Sequence, residues 1–225
     1  MNFVHEPIDI GYFDLENVTS DKGRHYVDPE GNKYPSITTV LSILSEESIQ
    51  KWRARVGEEE ANRISTQART RGTKIHDIIE KYVGNDPDYL DKKDLPNMHT
   101  FQDIQPYIDK SVTKVYAQEA ALYSKHLGVA GRVDCVGQWD GVDAIIDWKT
   151  SRKWKKKEWI SSYFMQASAY AIMWEERTGM PIKKLVICIA GDNGPQIFIE
   201  DRDNWTKDLI NTISEYKKRK FWGRK

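Results

Sequence analysis

Apolar side chains at Ile75, Ile78, Ile79 and Tyr82 keep the i, i+3, i+4, i+7 spacing of an amphipathic helix that starts near Thr73. Upstream, residues 46–67 are charged, with Trp52, Val56 and Ile64 as apolar points, and read as surface helices interrupted at Gly72. Before them, Ser36 or Thr38 is placed to cap a helix that turns Val40, Leu41 and Leu44 inward. Residues 85–97 hold Pro87, Pro96 and several aspartates and read as a loop, and 101–117 as a further helix. The pattern then changes. Residues 131–139 and 144–149 are β-rich runs split by Asp140-Gly141, the strongest hairpin signal in the chain. An apolar helix over 163–176, strands over 185–190 and 196–200 and a helix over 205–220 complete the series. Ahead of everything, 24–34 has β-prone ends around Pro29 to Asn32, a hairpin in an otherwise irregular lead-in.

This order predicts an α/β layered domain, and 225 residues without repeats or low-complexity linkers fit a single one. Apolar residues at 39% and charged residues at 30% are a globular composition, with no run long enough to span a membrane. Lys plus Arg and Asp plus Glu are balanced at 34 each, so attraction to a polyanion has to come from local patches. Cys135 and Cys188 make neither a disulfide framework nor a zinc or iron–sulfur set. The first twenty residues hold four acids and no Lys or Arg, unlike a secretory or mitochondrial leader, which predicts a cytoplasmic protein.

The chemistry concentrates at the hairpin. Asp147 and Lys149 share a strand face, since side chains alternate. A turn centred on Asp140-Gly141 makes every facing pair sum to 281, which sets Asp134 opposite Asp147 with Cβ atoms roughly 4.5–5.5 Å apart. Two carboxylates that close among Val133, Val136, Ile145 and Ile146 need a shared proton or a hard divalent cation. The plain alternative is a pair of turn-flanking aspartates with Lys149 solvating the strand end. A bulge would break the facing. Cys135 falls on the other face by parity and reads as core.

Gly131-Arg-Val-Asp134, followed by Ile145-Ile-Asp147-Trp-Lys149, resembles the core motif of the PD-(D/E)XK nuclease superfamily, and more narrowly its RecB-type exonuclease branch. Arg71-Gly-Thr-Lys-Ile-His76 resembles that branch's Gly-Thr-x-x-His helix start, and Gln166-Ala-Ser-Ala-Tyr170 its Gln-x-x-x-Tyr motif. Glu119 resembles the helix glutamate that precedes the first aspartate. Tyr34-Pro-Ser-Ile-Thr-Thr-Val-Leu with Trp52 resembles the N-terminal signature of the mitochondrial genome maintenance exonucleases and their phage relatives. The motifs stand in matching order from about Tyr34 to the end.

The resemblance implies a restriction-endonuclease-like core: a central mixed sheet flanked by helices, with an N-terminal helical region over the active site. One nuclease domain would then fill 1–225, with 1–33 as lead-in and 34–225 as core. It implies that Asp134, Asp147, the Trp148 carbonyl and His76 bind Mg²⁺, which Mn²⁺ can replace. Lys149 would activate water or steady the transition state, and Gln166 and Tyr170 would orient Lys149 or the phosphate. For Glu119 a surface glutamate is an equal alternative, for Tyr170 simple packing, and for His76 a place at the core edge.

Basic residues interleaved with aromatics suit a nucleic-acid groove. Arg152, Lys153, Trp154, Lys155, Lys156 and Lys157 follow the catalytic strand directly, Trp159 is a further stacking candidate, and Arg71 lies on the helix before His76. Lys217 to Lys225, with Trp222, form a second basic stretch. No Walker A sequence occurs, so unwinding of duplex DNA falls to a separate helicase or replication protein, or the substrate is already single-stranded. The expected activity is a metal-dependent DNA exonuclease of a phage or bacterium, in replication, recombination or repair. An inactive DNA-binding module and an endonuclease on the same site are the competing readings.

Overall fold

Asp140 and Gly141 both adopt positive φ, 52° and 73°, the two-residue turn whose twist matches that of the strands it joins. From it, β5 (Val129–Trp139) and β6 (Val142–Ser151) run antiparallel, paired as Trp139↔Val142 through Cys135↔Ile146. Each of these pairs sums to 281, the predicted register. The computed structural model describes residues 2–20, 23–90 and 94–222.

Three more strands complete a five-stranded mixed sheet in the order β4-β5-β6-β7-β8: β4 (Val112–Ser124), β7 (Lys184–Gly191) and β8 (Gln196–Asp201). β7 lies parallel to β6, and the crossover between them is α5 (Ser161–Thr178). Helices cover both faces. On one, α1 (Ile37–Leu41), α5 and α6 (Asp203–Trp222) bury Ile37, Phe164, Trp174 and Leu209 against Val133, Ile145 and Ile187. On the other, α3 (Glu58–Val83) and α4 (Leu95–Ser111) pack Ile75, Ile79, Phe101 and Ile104 against Cys135, Ile146 and Trp148. Double coverage explains why the central strands read as continuous apolar runs. It also places Cys135 in the core, as parity predicts. No described helix is long and apolar enough to cross a membrane.

Four expectations are corrected. Gly72 does not interrupt a helix: α3 runs unbroken through it, and the break is at Gly57 (φ 88°), between α2 (Glu46–Val56) and α3. Three glutamates in the first turn, Glu58 to Glu60, favour a start there. The helix expected over 101–117 is α4, which ends at Ser111, and its last residues belong to β4. Leu44 is half exposed in a short 3-10 turn. The lead-in is a three-stranded sheet, since β1 (Glu16–Ser20) joins β2 (Gly23–Val27) and β3 (Lys33–Pro35).

Two register shifts near Val115 bring the β4 backbone unusually close to Gly137. A Cβ on Gly137 would sit 2.2 Å from the Lys114 carbonyl oxygen, a contact only backbone movement can relieve. Gly137→Ala is therefore expected to destabilise the fold by about 1–3 kcal/mol. Thermal unfolding followed by circular dichroism checks it, and a wild-type midpoint would refute the clash.

Candidate metal and catalytic site

The β5–β6 ladder stops at Cys135↔Ile146, one residue short of the two aspartates. Beyond it the Asp134 side chain takes over, its Oδ2 accepting the Trp148 backbone N–H at 2.8 Å. The strands part, and both acids stand in the gap rather than as a ladder pair. Asp147 is fully buried. Its Oδ2 touches the Lys149 ammonium, and neither carboxylate oxygen has a well-aligned hydrogen-bond donor. Burial raises its pKa to about 6, with Asp134 adding to the rise and Lys149 opposing it. Asp134 is raised by burial too, against Lys149 and the Trp148 amide.

Glu119 joins them from an unexpected element. It lies on β4, not on a helix, between the pairs Gln118↔Cys135 and Ala120↔Val133, which puts it across from Asp134. Its φ of 48° is left-handed, rare for a non-glycine in a strand. Burial and the Asp134 charge raise its pKa to about 8. His76, delivered by α3, completes a group: ligand atoms of His76, Glu119 and Asp134 all lie within 4.8 Å of one another. Burial and Lys149 lower the His76 pKa, against Asp147 and the Trp148 carbonyl, so the ring is held neutral, as a ligand must be. One imidazole and two strained carboxyls fit a divalent cation, which would remove the repulsion that raises Glu119. Asp147, also expected among the ligands, is in contact with the Lys149 ammonium.

Lys149 is steadied by α5. Its ammonium lies 5.3 Å from the centre of the Tyr163 ring, a partner the sequence reading did not name. Burial alone would lower its pKa, but Asp147 and Asp134 together outweigh that and hold it raised. Gln166 donates to the Tyr170 hydroxyl at 3.1 Å, so these two engage each other. The Tyr170 ring lies against Gly131, where a Cβ would come within 2.7 Å of it. The missing side chain at Gly131 thus makes room for a ring of α5.

The basic stretch is only partly available to a ligand. Arg71 is bound to Asp192 and lies 3.4 Å from the Thr100 hydroxyl. Lys157 pairs with Glu200, and Lys156 sits 5.4 Å over the Trp159 ring. Gln196 clamps the Lys155 backbone through two 2.8 Å hydrogen bonds. This holds Trp154 exposed beside Lys155 and Lys156 along a groove of about 670 Å³. Of the C-terminal stretch, residues 223–225 and the Trp222 side chain lie outside the described residues.

With this geometry stand three relatives, all named mitochondrial genome maintenance exonuclease 1. The human protein is 25% identical over 84% of this chain and 60% of its own. The Xenopus tropicalis protein is 26% identical over 97% and 67%, and the mouse protein 27% over 54% and 38%. The chain thus spans less than two thirds of the human relative's length. No protein-family model matches. The similarity supports a nuclease role.

Without metal, Glu119 costs stability as pH rises from about 4.5 to about 8, because the unfolded chain releases that proton first. Glu119→Gln should therefore remove a pH dependence of the unfolding midpoint over that range. It should also abolish stabilisation by Mn²⁺, about 2.7 kcal/mol at a hundred times its Kd in the wild type. Thermal unfolding with and without Mn²⁺ reads both effects, and a variant stabilised like wild type would remove Glu119 from the ligand set.

Proposed function

We propose that the chain is a metal-dependent DNA exonuclease of the PD-(D/E)XK type, hydrolysing phosphodiester bonds of single-stranded DNA, with residues 1–225 forming one nuclease domain. The observation that carries this reading is the meeting of His76, Glu119 and Asp134 beside the buried Asp147–Lys149 pair. A Mg²⁺ or Mn²⁺ ion in that cluster supplies Lewis-acid stabilisation of the phosphoryl oxygens and a more acidic water. His76, Glu119 and Asp134 would hold it, with Asp147 beside them as the second aspartate expected from the hairpin.

The other residues act around it. Lys149, kept charged by Asp147 and Asp134, donates to a non-bridging oxygen as negative charge builds there. Asp147 fixes the position of that ammonium, and the Tyr163 face limits where it can swing. Tyr170 and Gln166 close the α5 side of the gap. Trp154 offers a stacking face, and Lys153, Lys155 and Lys156 follow the phosphate backbone without reading bases. A role in phage or bacterial replication, recombination or repair, in the cytoplasm and beside a separate helicase, is consistent with a chain that carries no Walker A motif.

End-labelled linear single-stranded DNA, compared with a circular strand under Mg²⁺, Mn²⁺ or EDTA, tests the activity. Metal-dependent loss of the linear strand alone is expected, with Lys149→Ala slower by about 100-fold or more. Cutting of the circle would make it an endonuclease, and retention of DNA without cutting would make it a binding module. Replacing Lys153, Lys155 and Lys156 with Ala should flatten the slope of log binding against log salt by up to about 2. An unchanged slope would take this stretch out of the DNA path.

A further inference from the structure

The three-stranded lead-in sheet reaches the candidate site through one side chain. Arg24, on β2, lines a cleft of about 540 Å³ together with Thr73, His76, Glu119, Arg132 and Asp134. Its backbone is pinned on both sides: the carbonyl accepts the Ser36 N–H at 2.8 Å, and its own N–H donates to Thr39 Oγ1 at 3.1 Å. The side chain is exposed.

The neighbouring cations are spoken for. Arg132 is held by Asp14 at 2.7 Å and by the Glu119 carbonyl, Lys149 by Asp147, and Arg71 by Asp192. Arg24 has no anionic partner among the described residues, although carboxylates line the same cleft. A guanidinium kept beside a cation-binding cluster without an ion pair is available for an incoming anion, and its planar fork suits phosphate.

The sheet that carries it is fixed to the strands that carry the acids. Leu15, Tyr26 and Tyr34 pack with Ala121, Tyr123 and Ala130 of β4 and β5. The Tyr12 hydroxyl donates to the Ala121 carbonyl at 2.9 Å, and Ser36 bridges to Ala130. Arg24 is therefore held at a set distance from Glu119 and Asp134, as a residue that registers a substrate must be.

We propose that Arg24 binds a backbone phosphate of the nucleic-acid strand next to the one being cut, making the lead-in sheet a substrate-positioning element. This rests on the nuclease reading, and two separate readouts keep the failures of the two apart. Binding of a single-stranded oligonucleotide is followed by fluorescence anisotropy across salt, with Ca²⁺ replacing Mg²⁺, and cleavage is measured separately with Mg²⁺. Arg24→Ala should lower kcat/KM about 10- to 100-fold and reduce the salt slope by about 0.7. Its unfolding midpoint and Mn²⁺ stabilisation should stay those of the wild type, and Arg24→Lys should restore the slope. If the wild type cuts and Arg24→Ala matches it in rate and slope, the inference fails and the nuclease reading stands. A lowered midpoint with an unchanged slope also overturns it, because it marks a structural arginine. If the wild type cuts nothing but the slope still falls, the nuclease reading fails and the phosphate contact holds.

Discussion

Everything at this site answers to one constraint: carboxyl groups from β4, β5 and β6 are crowded together at the floor of a cleft, where burial weakens their screening by water. Ionising a buried carboxylate costs several kcal/mol unless an opposite charge is close. Lys149, two residues further along the same strand, supplies that charge to Asp147. Asp134 has a backbone amide and the more distant Lys149 charge, and Arg132 offsets Glu119 only in part, so that the Glu119 pKa is held up to about 8. The remaining imbalance is one that a divalent cation would correct, and the imidazole that faces it is already neutral.

The surrounding layers make that imbalance tolerable. Both faces of the sheet are covered by helices, so β5 and β6 can part without exposing the ladder beneath them. α3 brings His76 from one face, while α5 brings Tyr163, Gln166 and Tyr170 from the other. A charged group fixed by elements that cannot easily relax stays where it is placed, which is what a site acting through electrostatics requires.

The hairpin was legible because turn chemistry and register arithmetic are local: Asp140-Gly141 alone fixes five pairs. That arithmetic could not see where the ladder ends, because the end is set by the Asp134 carboxylate competing for the Trp148 amide. β4 was misread for a different reason. Its Ala117-Gln-Glu-Ala-Ala121 segment is rich in helix formers, and tertiary pairing with β5 overrides that propensity. Had 112–124 been read as a strand, the same sum rule applied to β4 and β5 would have set Glu119 opposite Asp134. Gly72 misled in the opposite direction, since a lone glycine costs a helix only about 1 kcal/mol. Tyr163 and Arg24 carried no motif and became visible only through what they face.

A chain with equal numbers of acids and bases has no general attraction for a polyanion, so position has to do what net charge cannot. Three acids, Glu119, Asp134 and Asp147, meet at the site, and several nearby cations are already committed to carboxylates: Arg71, Arg132 and Lys157 each have a partner. Among the described residues, cations without an ion pair include Arg24 at the cleft and Arg152, Lys153 and Lys155 around the end of β6. On the nuclease reading, a strand held at both places would bind more strongly than one that touches either alone. A short row of free cations across a neutral surface therefore selects a path for the backbone, whereas a uniformly basic surface would hold it in any orientation.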